Sequence, residues 1–110
     1  MSKRAKFTTE LASLLEYMVN EGDTPILDFV KRSTEEQGRL FAAGLSKCDG
    51  VKIISKHQVG LAADIYLLDE AGKLLDWNKV GDKADKYHDF WKQSGGAKII
   101  SWDIGHFEYP

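Results

Sequence analysis

Near the end of the chain stands His106-Phe107-Glu108. In a strand, residues two apart face the same side, roughly 6.6 Å apart along the chain. At that spacing an imidazole can hold a metal ion while the carboxylate reaches a water on it. Zinc accepts His nitrogen and Asp oxygen, and a catalytic site usually offers three protein ligands and leaves a fourth position for water. The chain has three histidines, His57, His88 and His106. His57 and His106 lie beside glycines at strand margins, where a side chain can be presented into a cleft. His88 lies within the helical pattern KADKYHDFW and reads as an exposed or half-buried helix residue.

A partner for these histidines is found in SKHQVGLAADI, where Asp64 follows His57 by seven residues. Gly60 permits a turn between them. An acid among Ala62, Ala63, Ile65 and Tyr66 is costly to bury alone, and a cation is one good partner. A strand-start aspartate that caps a turn fits the same spacing, and the residues alone leave both readings open.

Other chemistries find little support. The single cysteine, Cys48, forms no internal disulfide and has no histidine near it in sequence, so it reads as an incidental thiol. Net charge is −2, which gives no electrostatic footprint for nucleic acid. No apolar run is long enough to span a membrane. Lys3, Arg4 and Lys6 read as a solvated basic start with no apolar signal core behind them. The expectation is therefore synthesis in a cytoplasm.

These residues must be carried by a small body. With 110 residues, 43% hydrophobic and 29% charged, the chain is expected to form one domain over 1–110. Leu11, Leu14, Leu15, Met18 and Val19 mark a helix, capped by Thr8 or Thr9 and closed by Gly22. Pro25 opens a short strand from Ile26 to Val30. Ser33 and Glu36 have capping-box spacing, and the helix they open turns Leu40 and Phe41 inward and ends at Gly44. Two strands are expected around the DEAG turn, then a helix capped by Asp82 and stopped by Gly95 and Gly96. AKIISW and GHFEY are the last expected strands. This order predicts an α+β domain with a small antiparallel sheet.

The run Ser55-Lys56-His57-Gln58-Val59-Gly60-Leu61-Ala62-Ala63-Asp64 resembles the S-x-H-x-x-G-x-A-x-D motif of zinc peptidases that cut bacterial cell-wall peptides. That family contains D-alanyl-D-alanine carboxypeptidases and dipeptidases and the L-alanyl-D-glutamate peptidase endolysins, and Hedgehog domains share its fold. Asp103-Ile104-Gly105-His106-Phe107-Glu108 resembles the family's D-x-x-H-F-E. Arg32-Ser33, Glu36-Gln37 and Leu40-Phe41 match a third, looser segment. The likeness runs from about Pro25 to Glu108. It implies Zn2+ held by His57, Asp64 and His106, with Glu108 as catalytic base and Arg32 facing the scissile carbonyl. Asp103 is then either an acceptor for a ligand imidazole or an ordinary turn aspartate. Gly105 stands where the family often has proline, which loosens the turn before His106. Trp77, Trp91 and Trp102 read as core or rim aromatics, Trp102 also as a floor for the substrate cleft.

The resemblance implies a peptidoglycan stem-peptide substrate, no nucleic-acid partner, no membrane insertion, a monomer, and action at the cell wall after release. The expected cut is the L-alanyl-D-glutamate bond. A D-alanyl-D-alanine carboxypeptidase or dipeptidase is the rival enzyme, and a zinc-stabilised binding domain is the rival without catalysis.

Overall fold

A computed structural model of the chain describes residues 2–28, 34–44 and 56–110. Helix α1 (Lys3–Asn20) buries Phe7, Leu11, Leu14 and Met18, a stripe spaced by threes and fours. It starts earlier than the sequence suggests. Ser2 caps it by accepting a hydrogen bond from the Ala5 amide at 3.1 Å, so Lys3, Arg4 and Lys6 form its first turns. Thr8 and Thr9 do not cap: their hydroxyls donate back to the Arg4 and Ala5 carbonyls at 2.8 and 3.0 Å, the bond that interior helix threonines make. Gly22, with φ of 89°, turns the chain out of the helix.

Strand β1 (Thr24–Leu27) begins two residues before the expected Ile26; the expected end at Val30 lies outside the described residues. Helix α2 (Thr34–Ala42) follows the position expected for Ser33, itself outside the described residues. Phe41 is exposed, not inward as expected.

Strand β2 (Ala62–Leu68) is buried along most of its length. The turn after it forms as expected: the Asp69 carboxylate accepts from the Ala71 and Lys73 amides, both at 2.9 Å. The returning arm is not a full second strand. It makes one bridge, Leu68 to Leu74, and then Asp76 accepts from the Asn78 amide at 2.9 Å and opens a 3-10 turn, Trp77–Lys79, that leads the chain away.

Helix α3 (Lys83–Gln93) turns Ala84, Tyr87, His88 and Trp91 inward. Residues 97–102, expected as a strand, form none; Ala97 donates to the Glu108 carbonyl at 2.9 Å, and Asp103 donates to that of Ile100 at 3.0 Å in a turn. Strand β3 (His106–Glu108) completes a three-stranded antiparallel sheet in the order β1-β2-β3. This is the α+β architecture with a small antiparallel sheet that the sequence predicts.

The core lies between α1, α3 and one face of the sheet. Trp91 packs edge-on against Phe7 and Phe107, at 5.9 and 6.0 Å between ring centres. Tyr87 and Lys83 of α3 both donate to the Asp23 carboxylate in the α1–β1 turn, tying the two helices at a second point. Among the described residues, no helix is long and apolar enough to cross a membrane.

Candidate metal centre

Strand register brings the first two candidate ligands together. In the β2–β3 pair, Asp64 lies directly opposite His106, and facing residues of an antiparallel pair hold their Cβ atoms about 4.5–5.5 Å apart. The third arrives by a turn. Leu61 donates to the Lys56 carbonyl at 2.8 Å, and Gly60 takes the left-handed backbone, φ 72°, that this closure requires. The loop folds His57 back over the start of β2, where it is 2% exposed.

Three atoms then face one another. His57 Nε2 lies 3.2 Å from His106 Nδ1 and 3.2 Å from Asp64 Oδ1. His106 Nδ1 lies 3.3 Å from the same Asp64 oxygen. Ligand bonds of about 2.0–2.1 Å at the tetrahedral angle separate donor atoms by about 3.3–3.4 Å. The triangle therefore has the edge lengths of a tetrahedral face, with donors of the kinds zinc accepts. Among the described residues, His57, Asp64 and His106 are the buried set able to hold a metal ion.

Charge and burial agree with that reading. Burial alone raises the Asp64 carboxyl, but hydrogen bonds from His106 and His57 outweigh it and hold the pKa down at about 2. The two imidazoles thus favour the ionised Asp64 carboxylate. Burial alone lowers His106, but its bonds with Asp64 and Glu108 outweigh it and raise its pKa.

The two nearby carboxylates stand on different sides of the His106 ring. Glu108, expected as base, has its Oε1 2.9 Å from His106 Nε2. That nitrogen lies across Cε1 from Nδ1 and points in a different direction, so the Glu108 carboxyl is off the side where the three candidate ligand atoms meet. Asp103 lies on the ligand side, with Oδ2 3.8 Å from His106 Nδ1. The reason is local. Glu108 follows His106 by two and shares its strand face. Asp103 precedes the strand in a turn, closed by the His106 amide donating to the Asp103 carbonyl at 3.0 Å, which returns its carboxylate to the imidazole. The D-x-x-H spacing carried this signal, since residues three apart meet across a turn. Arg32, expected at the scissile carbonyl, lies outside the described residues, as does Cys48.

Two further expectations change. His88 is 4% exposed, not on the surface, and it stays outside the ligand set. Gly105 does not loosen its turn. Its carbonyl accepts from the Ile65 amide at 2.8 Å, and a Cβ there would stand 2.8 Å from the Ile65 carbonyl oxygen, so glycine is what lets the two backbones meet. Of the tryptophans, Trp77 and Trp91 are core, and Trp102 is 74% exposed. Trp102 lines a groove of about 310 Å³ with Tyr66, Asp76, Asn78, Ser101 and Asp103. The described residues lining that groove include no lysine, arginine or histidine.

No family model matches the sequence, and no curated protein matches it significantly. Solved structures do. The chain is similar to an L,D-carboxypeptidase, DacB, from Streptococcus pneumonia, at 19% identity and a TM-score of 0.65, over 96% of this chain and 65% of that one. It is likewise similar to the LdcB LD-carboxypeptidase, a structure that concerns peptidoglycan recognition, at 20% identity and a TM-score of 0.67, over 96% and 64%. The chain thus spans just under two thirds of the length of each. At these identities the likeness shows a shared fold.

Proposed function

We propose that the protein is a zinc-dependent peptidase of peptidoglycan stem peptides. One observation carries this: a buried His-Asp-His triangle with edges of 3.2, 3.2 and 3.3 Å, beside an open groove. The fold shared with two carboxypeptidases, one of them studied for peptidoglycan recognition, supports the substrate class.

His57 Nε2, Asp64 Oδ1 and His106 Nδ1 would hold the metal. When bound, zinc lowers the pKa of water to about 7 and polarises a carbonyl. Glu108 accepts the Nε2 proton of His106, which fixes the tautomer and leaves Nδ1 bare for ligation. Asp103, on the ligand side, takes the proton of the attacking water and returns it to the leaving amine. Arg32 is the proposed partner of the carbonyl oxygen as charge develops on it. A structural zinc site needs no second carboxylate on its ligand side, which favours an enzyme over a zinc-stabilised binding domain.

The bond we assign is internal, the L-alanyl-D-glutamate link. A carboxypeptidase must hold a terminal carboxylate, for which Arg and Lys are the natural groups. The groove beside Asp103 instead presents Asp76 and Asp103, with no basic group among its described residues. An L,D-carboxypeptidase is the second reading, favoured by the names of the fold neighbours.

Digestion of purified peptidoglycan, followed by mass spectrometry of the soluble fragments, tests the assignment. New amino-terminal glutamate, with L-alanine left on the glycan, is the expected result. Free D-alanine as sole product moves the assignment to the carboxypeptidase reading. Metal analysis tests the centre: one zinc per chain is expected, and full zinc in His57→Ala or His106→Ala protein would show the ligands to be misassigned.

A further inference from the structure

Strand β3 is three residues long, and its pairing with β2 is extended by one backbone bond on each side, Ile65 amide to Gly105 carbonyl and Tyr109 amide to Leu61 carbonyl, both 2.8 Å. Register matters here, because a one-residue slip moves every side chain to the other face of the sheet. His106 would then point into the apolar core. Helix α3 adds two bonds to this short ladder from outside the sheet. The His88 Nε2–H donates to the Ile104 carbonyl at 2.6 Å. One turn on, the Trp91 indole donates to the Glu108 carbonyl at 2.8 Å. Ile104 and Glu108 stand two residues before and two residues after His106. Between them, the His88 ring lies flat on Phe107, with ring centres 4.0 Å apart and planes 6° from parallel.

We propose that His88 and Trp91 are positioning residues that hold His106 in the ligand triangle; the proposal rests on the metal-centre reading above. The choice of histidine at 88 points the same way. Ile104 offers a carbonyl, which only accepts, so the single proton of a neutral imidazole must sit on Nε2. Nδ1 is then a bare lone pair, buried with no hydrogen-bond partner among the described residues, and an unmet buried acceptor is destabilising. Leucine would fill the same helix stripe without that penalty. What histidine adds is the bond to the backbone that carries His106, together with a flat ring to stack on Phe107.

Zinc affinity, measured by competition with a chromophoric chelator, and the visible spectrum of the cobalt-loaded protein test this directly. His88→Phe keeps a flat ring and removes the donor. It is expected to bind zinc at least about 10-fold more weakly, the scale on which outer-shell partners act, and to shift the cobalt bands. His88→Gln puts an amide N–H at about the reach of Nε2 and is expected to recover most of the affinity. Parental affinity and an unchanged cobalt spectrum in His88→Phe overturn the proposal, even if that variant is less stable to urea. Should His88→Phe fail to fold, Trp91→Phe carries the same test, since it keeps an aromatic ring and loses the bond to the Glu108 carbonyl; unchanged metal affinity there overturns the proposal equally. A parent protein that binds neither zinc nor cobalt sinks the metal centre itself, a failure distinct from that of the positioning pair.

Discussion

The two faces of the β2–β3 pair are built from opposite materials. One carries Asp64 opposite His106 and, one pair along, Ala62 opposite Glu108. The other carries Ala63 opposite Phe107, against Trp91 and His88. Both are buried, yet only the second gains stability from burial itself. On the first, two imidazoles and a carboxylate leave water for one another's company, and breaking such a set leaves a buried charge uncompensated. The sheet therefore separates tasks by face: apolar packing on the side of α1 and α3 holds the fold, and the opposite side is free to present ligands.

The strongest way to break this division is to damage the apolar face. Phe107→Ala removes a fully buried ring and is expected to cost about 3–5 kcal/mol of stability, measured by urea unfolding of the metal-free protein. A loss below about 1 kcal/mol would show that Phe107 is not a main support of the fold.

Next comes the ligand face. Asp103→Asn is expected to lower turnover by at least about 10²-fold, the scale of general-base loss, with zinc content and stability kept. Glu108→Gln leaves a partner for His106 Nε2 and is expected to act mainly on zinc affinity, by about 10-fold or more. Assayed with saturating zinc, the two variants separate the roles. An active Asp103→Asn protein beside an inactive, zinc-loaded Glu108→Gln protein would restore Glu108 as base.

A smaller effect is expected where the faces meet. Gly105→Ala sets a Cβ 2.8 Å from the Ile65 carbonyl oxygen, a backbone atom that cannot swing aside. The expected cost is about 1–3 kcal/mol, read as a lower urea midpoint. An unchanged midpoint would mean that the turn is looser than its packing suggests.

The smallest expected effect lies away from the sheet. Burial alone raises the Asp23 carboxyl, but hydrogen bonds from Lys83 and Tyr87 outweigh it and hold its pKa below the ordinary value of 3.8. A depressed folded value gives stability that is complete above the unfolded pKa and is lost as pH falls through the folded one. Asp23→Asn is therefore expected to cost about 1 kcal/mol at pH 7, with the gap from the parent closing below about pH 4. Measuring the gap between variant and parent cancels the titration of the ligand set, which both proteins share. A gap independent of pH would remove the carboxylate charge from the explanation.

The candidate ligand set was legible through the resemblance of two motifs, because residue types and spacing alone left Asp64 open between a ligand and a turn cap. His57, Asp64 and His106 do come together. What the sequence hid was orientation. Which imidazole nitrogen faces the others depends on strand register and on a turn three residues long, and so does the side of His106 on which Asp103 and Glu108 stand. The burial of His88 was legible in principle: Ala84, Tyr87, His88 and Trp91 form one helical stripe, but a polar residue on an apolar stripe is discounted by type. His88→Ala is accordingly expected to destabilise the fold. Leu11, Leu14 and Met18 of helix α1 and the Asp69 turn were read well because they rest on local spacing, whereas Val19 and Phe41 face outward. The missing strands at 74 and at 97–102 were misread for the converse reason, since apolar content does not supply a pairing partner. Thr8 and Thr9 were misread as caps because a hydroxyl looks the same in sequence whether it serves an amide ahead or a carbonyl behind.

The distances along the chain between the ligands carry a consequence for assembly. His57 and Asp64 belong to one short segment and are neighbours before any folding occurs. His106 is 42 residues from Asp64 and 49 from His57. A metal ion captured by the nearby pair in an unfolded chain meets its third ligand only when a long loop closes, at an entropic cost of about 3 kcal/mol beyond the constant term. On the zinc reading proposed above, a seated ion would act as a removable cross-link across that loop. A chelator should therefore speed unfolding as well as extinguish activity, and refolding from denaturant should depend on whether the metal is added before the loop closes or after.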